Sequence, residues 1–137
     1  MILSLTTIGA VLLYLTATAL LFNRLSKVRQ GNSESGLASK SIVMGCTLLA
    51  VTLHGIILSQ DIFLAPGLNL GVTNAASLIT WLITLILALA ALRLPLESLI
   101  VVFLPAAALT LLVEHTFPST HIVSADISKE LKFHIIV

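Results

Sequence analysis

Long uncharged stretches alternate with short polar ones along this chain. Three runs contain no charged residue: Met1 to Phe22, Ser41 to Gln60 and Asn74 to Leu92. A helix needs about 20 residues to cross the hydrocarbon core of a bilayer, so each run predicts a membrane-spanning helix. A fourth apolar run, Ser98 to Val113, contains Pro105. We predict a kinked fourth span there, because neighbouring helices can satisfy the carbonyl that a proline frees.

A further apolar segment begins close to the last residue. After the polar stretch from Glu114 to Lys132, apolar residues resume at Phe133 and continue to Val137. A helix of this length rises only about 7 Å, far too little to span a bilayer. We therefore predict that a truncated fifth span begins at about residue 132, and that the chain is the N-terminal part of a longer protein. A short amphipathic tail at the membrane interface is the alternative.

Together these segments predict an all-α, polytopic membrane helix bundle that forms a single domain over residues 1–137. Its spans are predicted at about residues 2–22, 41–60, 74–92 and 98–115. Composition agrees, since 58% of the residues are apolar and 9% are charged, whereas soluble domains carry about 25% charged residues. A net charge of +1 is too small to predict a nucleic-acid partner. The predicted partner is the lipid bilayer, and the lone Cys46 cannot form an internal disulfide.

Basic residues mark one side of the membrane. The first run begins without a positive charge, which argues against a signal peptide. The positive-inside rule then places the N-terminus outside. The segments predicted inside hold five basic residues, and those predicted outside hold two: Arg24, Lys27, Arg29, Lys40 and Arg93 inside, Lys129 and Lys132 outside. Near the inner surface, the spacing of Arg93 and Glu97 predicts a solvated ion pair.

Polar residues inside the spans are the candidates for function, because the bilayer penalises them. In the second span Thr47, His54 and Asp61 recur every seven residues and share one helix face. The third span carries a similar polar face: Asn74, Ser77, Trp81 and Thr84. We expect the two faces to meet, since the spans are adjacent and antiparallel. Interhelical hydrogen bonding is the role that we favour for four hydroxyl side chains of these two spans: Thr47, Ser77, Thr80 and Thr84.

His54 leaves two interpretations open. A buried neutral imidazole can simply bond a backbone carbonyl, or it can serve as a metal ligand or proton relay. Asp61 lies about 10 Å further along the helix, so it could orient His54 only through water. All four histidines fall in the predicted outer half: His54, His115, His121 and His134. A converging pair would suit haem iron. The sequence contains no phosphate loop, zinc spacing or nucleophile–base motif, so no enzymatic activity is predicted.

One continuous stretch carries a family resemblance. The segment from Pro66 to Trp81 reads PGLNLGVTNAASLITW, an outer loop that leads into Asn74, Ser77 and Trp81 on the third span. With Leu53-His54-Gly55 and Leu131-Lys132-Phe133-His134-Ile135, it resembles the cytochrome c assembly family, in its CcsA/HemX-like inner-membrane branch. The resemblance extends over essentially the whole chain.

The resemblance implies a multispan bundle that handles haem at the outer face of a bacterial inner membrane. It implies that His54 and His134 are candidate haem-iron ligands, with His134 at the position of a family external histidine. Asn74, Ser77 and Trp81 match the motif of the third helix and would line the haem site. Trp81 is the only tryptophan, so the tryptophan-rich haem-binding loop of the family's synthase members is absent.

Three hypotheses follow, in order of preference. The first is a haem-handling protein of cytochrome c biogenesis, with haem as a cofactor and other maturation proteins as partners. The second is a non-catalytic membrane scaffold whose polar faces serve helix packing. The third is part of a small-solute permease, which Pro105 and the intramembrane polar residues suggest and which would need an inverted repeat elsewhere in the protein.

Overall fold

The computed structural model describes residues 2–31, 39–64 and 67–124 of the chain. It contains four α-helices and three short β-strands. The helices are α1 (Ile2–Arg29), α2 (Lys40–Ile62), α3 (Val72–Ala91) and α4 (Glu97–Thr116), and the strands are β1 (Phe63–Leu64), β2 (Gly67–Asn69) and β3 (Ile122–Ser124). The predicted fifth span lies outside the described residues, as does His134.

All four predicted spans are helices long and apolar enough to cross a membrane. They contain 20 to 28 residues, which corresponds to about 30 Å or more. The largest difference from prediction is in α1, which continues past Phe22 as far as Arg29. The helix α4 is continuous through Pro105. Hydropathy therefore located the spans correctly, whereas charge marked the end of α1 too early.

The helices form a ring in which each packs against two neighbours, α1 against α2 and α4, and α3 against α2 and α4. Small side chains are completely buried between them: Ala10, Ala17, Ala50, Ala88, Ala91 and Ala107. Such residues let helix backbones approach closely, which is how membrane helices gain packing energy. Large apolar side chains point outward, among them Leu12, Phe22 and Ile86. Large apolar side chains on the surface and small ones between the helices are the arrangement of a multi-pass membrane protein.

The two ends of the bundle differ. At one end, called here the Glu97 end, Glu97 lies 3.5 Å from the Lys40 ammonium and 3.9 Å from the Arg24 guanidinium. These contacts join the start of α4 to α1 and α2. Arg93 is not among the described partners of Glu97, so the predicted Arg93–Glu97 pair is replaced by pairs across helices. The reason is that Arg93 lies in the turn before α4, outside the helical spacing on which the prediction relied.

At the opposite end, called here the pocket end, a small sheet covers the helices. Its order is β1–β2–β3 and all pairs are antiparallel. Phe63 pairs with Leu68, and Asn69 pairs with Ile122. The sheet adds a β element to the predicted all-α architecture. Through β3 it holds the segment that follows α4 against the connection between α2 and α3.

Candidate functional site

His54 is the central polar group of the bundle. Its side chain is completely buried. Its Nδ1 lies 3.1 Å from the Tyr14 hydroxyl of α1, and its Nε2 lies 2.9 Å from the Ser77 hydroxyl of α3. The Tyr14 ring meets the imidazole edge to face, with ring centroids 5.8 Å apart. One side chain of α2 therefore joins three helices, and the predicted contact between the polar faces of α2 and α3 is confirmed at Ser77.

Ser77 also extends the network toward α4. Its hydroxyl is close enough to the carboxyl group of Glu114 to interact with it electrostatically. A hydroxyl has one proton to donate. If Ser77 turns that proton toward Glu114, its oxygen accepts from Nε2–H of His54, and Nδ1 accepts from the Tyr14 hydroxyl. This assignment gives Tyr14, His54 and Ser77 each a donor or acceptor role, although no hydrogen bond joins Ser77 to the Glu114 carboxylate.

A polar pocket lies at the pocket end, between α2, α3, α4 and the segment after α4. Its volume is about 350 Å³. It is lined by Asp61, Asn69, Asn74, Glu114, His115, Pro118, Ser119 and Thr120. Glu114 is only 4% exposed, and neither of its carboxylate oxygens has a hydrogen-bond partner among the described residues. An unpaired carboxylate therefore lies buried in the wall of this pocket.

The wall of the pocket is fixed by hydrogen bonds from the segment after α4 to the start of α3. The Asn69 side-chain oxygen accepts from the backbone N–H of Gly71 and of His121, at 3.3 and 2.9 Å. The Ser119 hydroxyl lies 2.6 Å from the Thr73 hydroxyl and accepts from the Thr73 N–H at 3.0 Å. A Cβ at Gly71 would clash with the backbone of Ser119. Only glycine permits this close approach.

Trp81 supports the site from the side away from the pocket. Its indole N–H donates to the Val51 carbonyl of α2 at 2.8 Å. The ring lies across Gly55, where an added Cβ would be 2.9 Å from Trp81 Cζ2. Gly55 follows His54 directly, so the absence of its side chain lets the indole pack beside the imidazole-bearing turn.

The predicted site residues thus separate into two groups. Ser77 contacts His54 and Trp81 packs beside it, whereas Asn74 lines the pocket and donates to the Asn69 carbonyl at 3.2 Å. Asp61, considered as a water-linked partner of His54, lines the pocket as well. Two participants were not predicted, Tyr14 and the unpaired Glu114. A lone tyrosine in an apolar span was the available signal for Tyr14, because a buried tyrosine hydroxyl usually has a partner.

Two of the four hydroxyl side chains that were predicted to bond between helices do so. Thr80 makes the predicted interhelical bond, at 2.7 Å to the Thr110 hydroxyl of α4. Thr47 and Thr84 are buried, but each donates to a carbonyl of its own helix, Val43 and Thr80 respectively. The prediction of interhelical bonds is therefore confirmed for Ser77 and Thr80 and wrong for Thr47 and Thr84. Threonine can bond the carbonyl four residues before it, which removes the need for a partner on another helix.

His54 could hold a haem iron under one condition. Both ring nitrogens are already hydrogen-bonded, so iron ligation requires that one bond be exchanged. Metal-bound histidines commonly keep such a bond on the second nitrogen, which holds the ring in place. No cluster of three or more histidine, cysteine, aspartate or glutamate side chains suited to a metal ion occurs within residues 2–31, 39–64 and 67–124.

The structure defines the class of the protein as a multi-pass helical membrane protein with a polar network and a pocket near one end. No family model matches the chain, and no curated protein or solved structure matches it either. A more specific function therefore depends on the site residues and on the resemblance stated above.

Proposed function

We propose that this chain belongs to a haem-handling membrane protein of the cytochrome c biogenesis type. The observation that supports this proposal is His54, a buried imidazole held between Tyr14 and Ser77 in the interior of the bundle. Buried intramembrane ionisable groups are rare and mark functional sites. The second ligand implied by the resemblance, His134, lies outside the described residues.

Each partner of His54 has a distinct role in this proposal. In the other tautomer of His54, which iron binding through Nε2 would need, Nδ1–H donates to the Tyr14 hydroxyl and the lone pair is on Nε2. Ser77 would then lose its bond to Nε2, and its hydroxyl would be free to turn toward the carboxyl group of Glu114. Bound haem would supply redox-active iron. Tyr14 is therefore a positioning residue for His54, and Ser77 is the group that an iron would replace.

We also propose a bacterial inner membrane and an orientation with the pocket end outside. Basic residues gather at the opposite end, with Lys27 and Arg29 in the last turn of α1, Lys40 at the start of α2 and Arg93 between α3 and α4. Lysine and arginine are retained on the cytoplasmic side during insertion. This orientation places the pocket end at the outer surface, where the family resemblance locates haem handling.

An absorbance experiment tests the haem proposal directly. Full-length protein is purified in detergent, and its reduced-minus-oxidised spectrum is recorded with a pyridine haemochrome assay, before and after addition of haem. The variants are His54→Ala and His134→Ala, with His121→Ala as the histidine control in an exposed segment. We expect a Soret band that shifts or disappears in the first two variants only. Absence of the band even after haem is added would refute the proposal.

The partners of His54 give a sharper comparison. Tyr14→Phe removes the bond that orients the ring, and loss of such a bond to a metal-binding histidine weakens metal affinity by about 10–100-fold. Ser77→Ala removes only the group that the iron replaces, so haem retention is expected to stay the same or increase. Equal loss in both variants would show that the network as a whole, rather than an oriented imidazole, supports haem binding.

A second candidate function is a membrane scaffold without a cofactor. The observation that favours it is that both nitrogens of His54 already have partners from α1 and α3. In this case the polar groups stabilise the bundle, the full-length protein is colourless, and His54 variants change stability alone. The spectra described above separate the two candidates.

A further inference from the structure

Glu114 has no partner that explains its burial. Its side chain is 4% exposed, in the last turn of α4, and both carboxylate oxygens lack hydrogen bonds within the described part of the chain. A buried charge is expensive unless it is paired and hydrogen-bonded. The groups within electrostatic range are the Ser77 hydroxyl and a second acidic side chain, Asp61. Asp61 adds to the negative charge rather than compensating it.

The described residues provide little positive charge at this position. None of the residues that line the pocket is a lysine or arginine. The basic residues of the described helices lie at the Glu97 end or in the turn before α4. His115 interacts electrostatically with Asp61, but its side chain is exposed at the rim. Within residues 2–31, 39–64 and 67–124, the pocket is therefore acidic and its deep carboxylate has no counter-ion.

The shape and lining of the pocket narrow the choice of cation. Asp61, Glu114 and His115 all line it, yet no three-residue group in the described ranges has the arrangement that a metal ion needs. The remaining lining residues are Pro118 and four with amide or hydroxyl side chains, Asn69, Asn74, Ser119 and Thr120. A volume of about 350 Å³ suits a small organic group better than a bare ion. An ammonium group with three N–H donors can satisfy several oxygens at once.

We propose that this pocket binds a primary ammonium group, with the Glu114 carboxylate as its main acceptor and Asp61 as the second negative charge. The pocket lies at an end of the membrane-spanning helices, so the ammonium can come from an aminophospholipid headgroup or from a soluble amine. Both sources share the same recognition chemistry. The inference does not depend on haem binding, because none of these contacts involves His54.

Binding to lipid and to soluble amine can be measured separately. For the soluble arm, full-length protein in phosphatidylcholine nanodiscs is titrated with ethanolammonium, and with tetramethylammonium as a cation without N–H donors. For the lipid arm, native mass spectrometry compares retention of phosphatidylethanolamine with retention of phosphatidylcholine. The variants are Glu114→Gln and Asp61→Asn, and the matched control is Glu97→Gln, which removes a carboxylate at the far end of the bundle.

We expect saturable binding of ethanolammonium or selective retention of phosphatidylethanolamine. Loss of one partner of a buried charge pair typically costs enough to weaken binding by about tenfold or more, so Glu114→Gln should show at least that loss. Glu97→Gln should bind like the parent protein. Glu114→Gln is expected to fold, because it removes an unpaired buried charge, and circular dichroism checks this. If it does not fold, Asp61→Asn gives the test, with a smaller loss expected.

The soluble-amine titration and the lipid-retention measurement lead to different conclusions. Binding in the lipid arm alone identifies a headgroup site, and binding in the soluble arm alone identifies a solute site. Either result supports the proposal when Glu114→Gln or Asp61→Asn weakens it. The proposal is overturned if the protein prefers neither ethanolammonium to tetramethylammonium nor phosphatidylethanolamine to phosphatidylcholine. Unchanged binding in the folded Glu114→Gln variant overturns it as well. Because haem retention is read from the Soret band, failure of one proposal leaves the other intact.

Discussion

Substitution of Gly55 by alanine should separate α2 from α3 beside His54. The new Cβ would lie 2.9 Å from Cζ2 and 3.1 Å from both Cε2 and Nε1 of Trp81, so the indole has to move. Overpacking of this kind costs about 1–3 kcal/mol. Displacement of the indole also threatens its hydrogen bond to the Val51 carbonyl, and such interhelical bonds contribute about 0.6 kcal/mol on average. Alanine recovers about 0.8–1.0 kcal/mol of helix propensity.

The matched control is Gly45→Ala on the same helix, where an added Cβ meets nothing within 4 Å. It receives the same gain in propensity without the overlap. We therefore expect Gly55→Ala to have a free energy of unfolding about 1–3 kcal/mol below that of Gly45→Ala. Unfolding in mixed detergent can be followed by fluorescence, because Trp81 is the only tryptophan. A difference within about 0.5 kcal/mol, the scatter expected between independent sites, would refute the packing argument.

Three further predictions concern other parts of the bundle. His54→Leu should lower the free energy of unfolding by about 1–3 kcal/mol, because it leaves buried hydroxyls without a partner. A negligible loss in equilibrium unfolding followed by circular dichroism would contradict this. Ser119→Ala should speed limited proteolysis of residues 117–124, because the two bonds of its hydroxyl with Thr73 are lost. Unchanged cleavage would count against their role. Glu97→Gln should lower the free energy of unfolding by about 1 kcal/mol or less, since its ion pairs are partly exposed. A larger decrease in thermal unfolding would contradict this.

The spans could be predicted because hydropathy and charge determine them locally. The sheet could not, since its strands contain two or three residues and show no alternating pattern. Pairing of β2 with β3 depends on where α4 ends relative to α2. Helical spacing placed His54 and Ser77 on the polar faces of two adjacent antiparallel spans, which predicted that the faces meet. Nothing in the sequence of α1 indicates which of its faces turns toward α2. The contact with Tyr14 therefore required the structure.

The role of Glu114 in the site could likewise not be predicted from the sequence. Glu114 is buried whereas its neighbour His115 is exposed, because adjacent residues of a helix point to different sides. Burial of Glu114, however, results from the segment after α4 folding back onto Asn69 and Thr73. A single residue of α4 becomes part of a pocket only through contacts distant in sequence.

Ser77 physically links the two parts of the site. It lies 2.9 Å from His54 Nε2 and within electrostatic range of the Glu114 carboxyl group, and its hydroxyl has one proton to donate. A cation beside Glu114 would compete with the Ser77 hydroxyl for the carboxylate. The Ser77 proton would then be free to bond Nε2 of His54, whereas an empty pocket lets it turn toward Glu114. Since linkage between two binding sites is reciprocal, any ligand that takes Nε2 from Ser77 must also alter the affinity of the pocket for its cation. Replacement of Ser77 by alanine removes this shared proton and should make the two binding events independent.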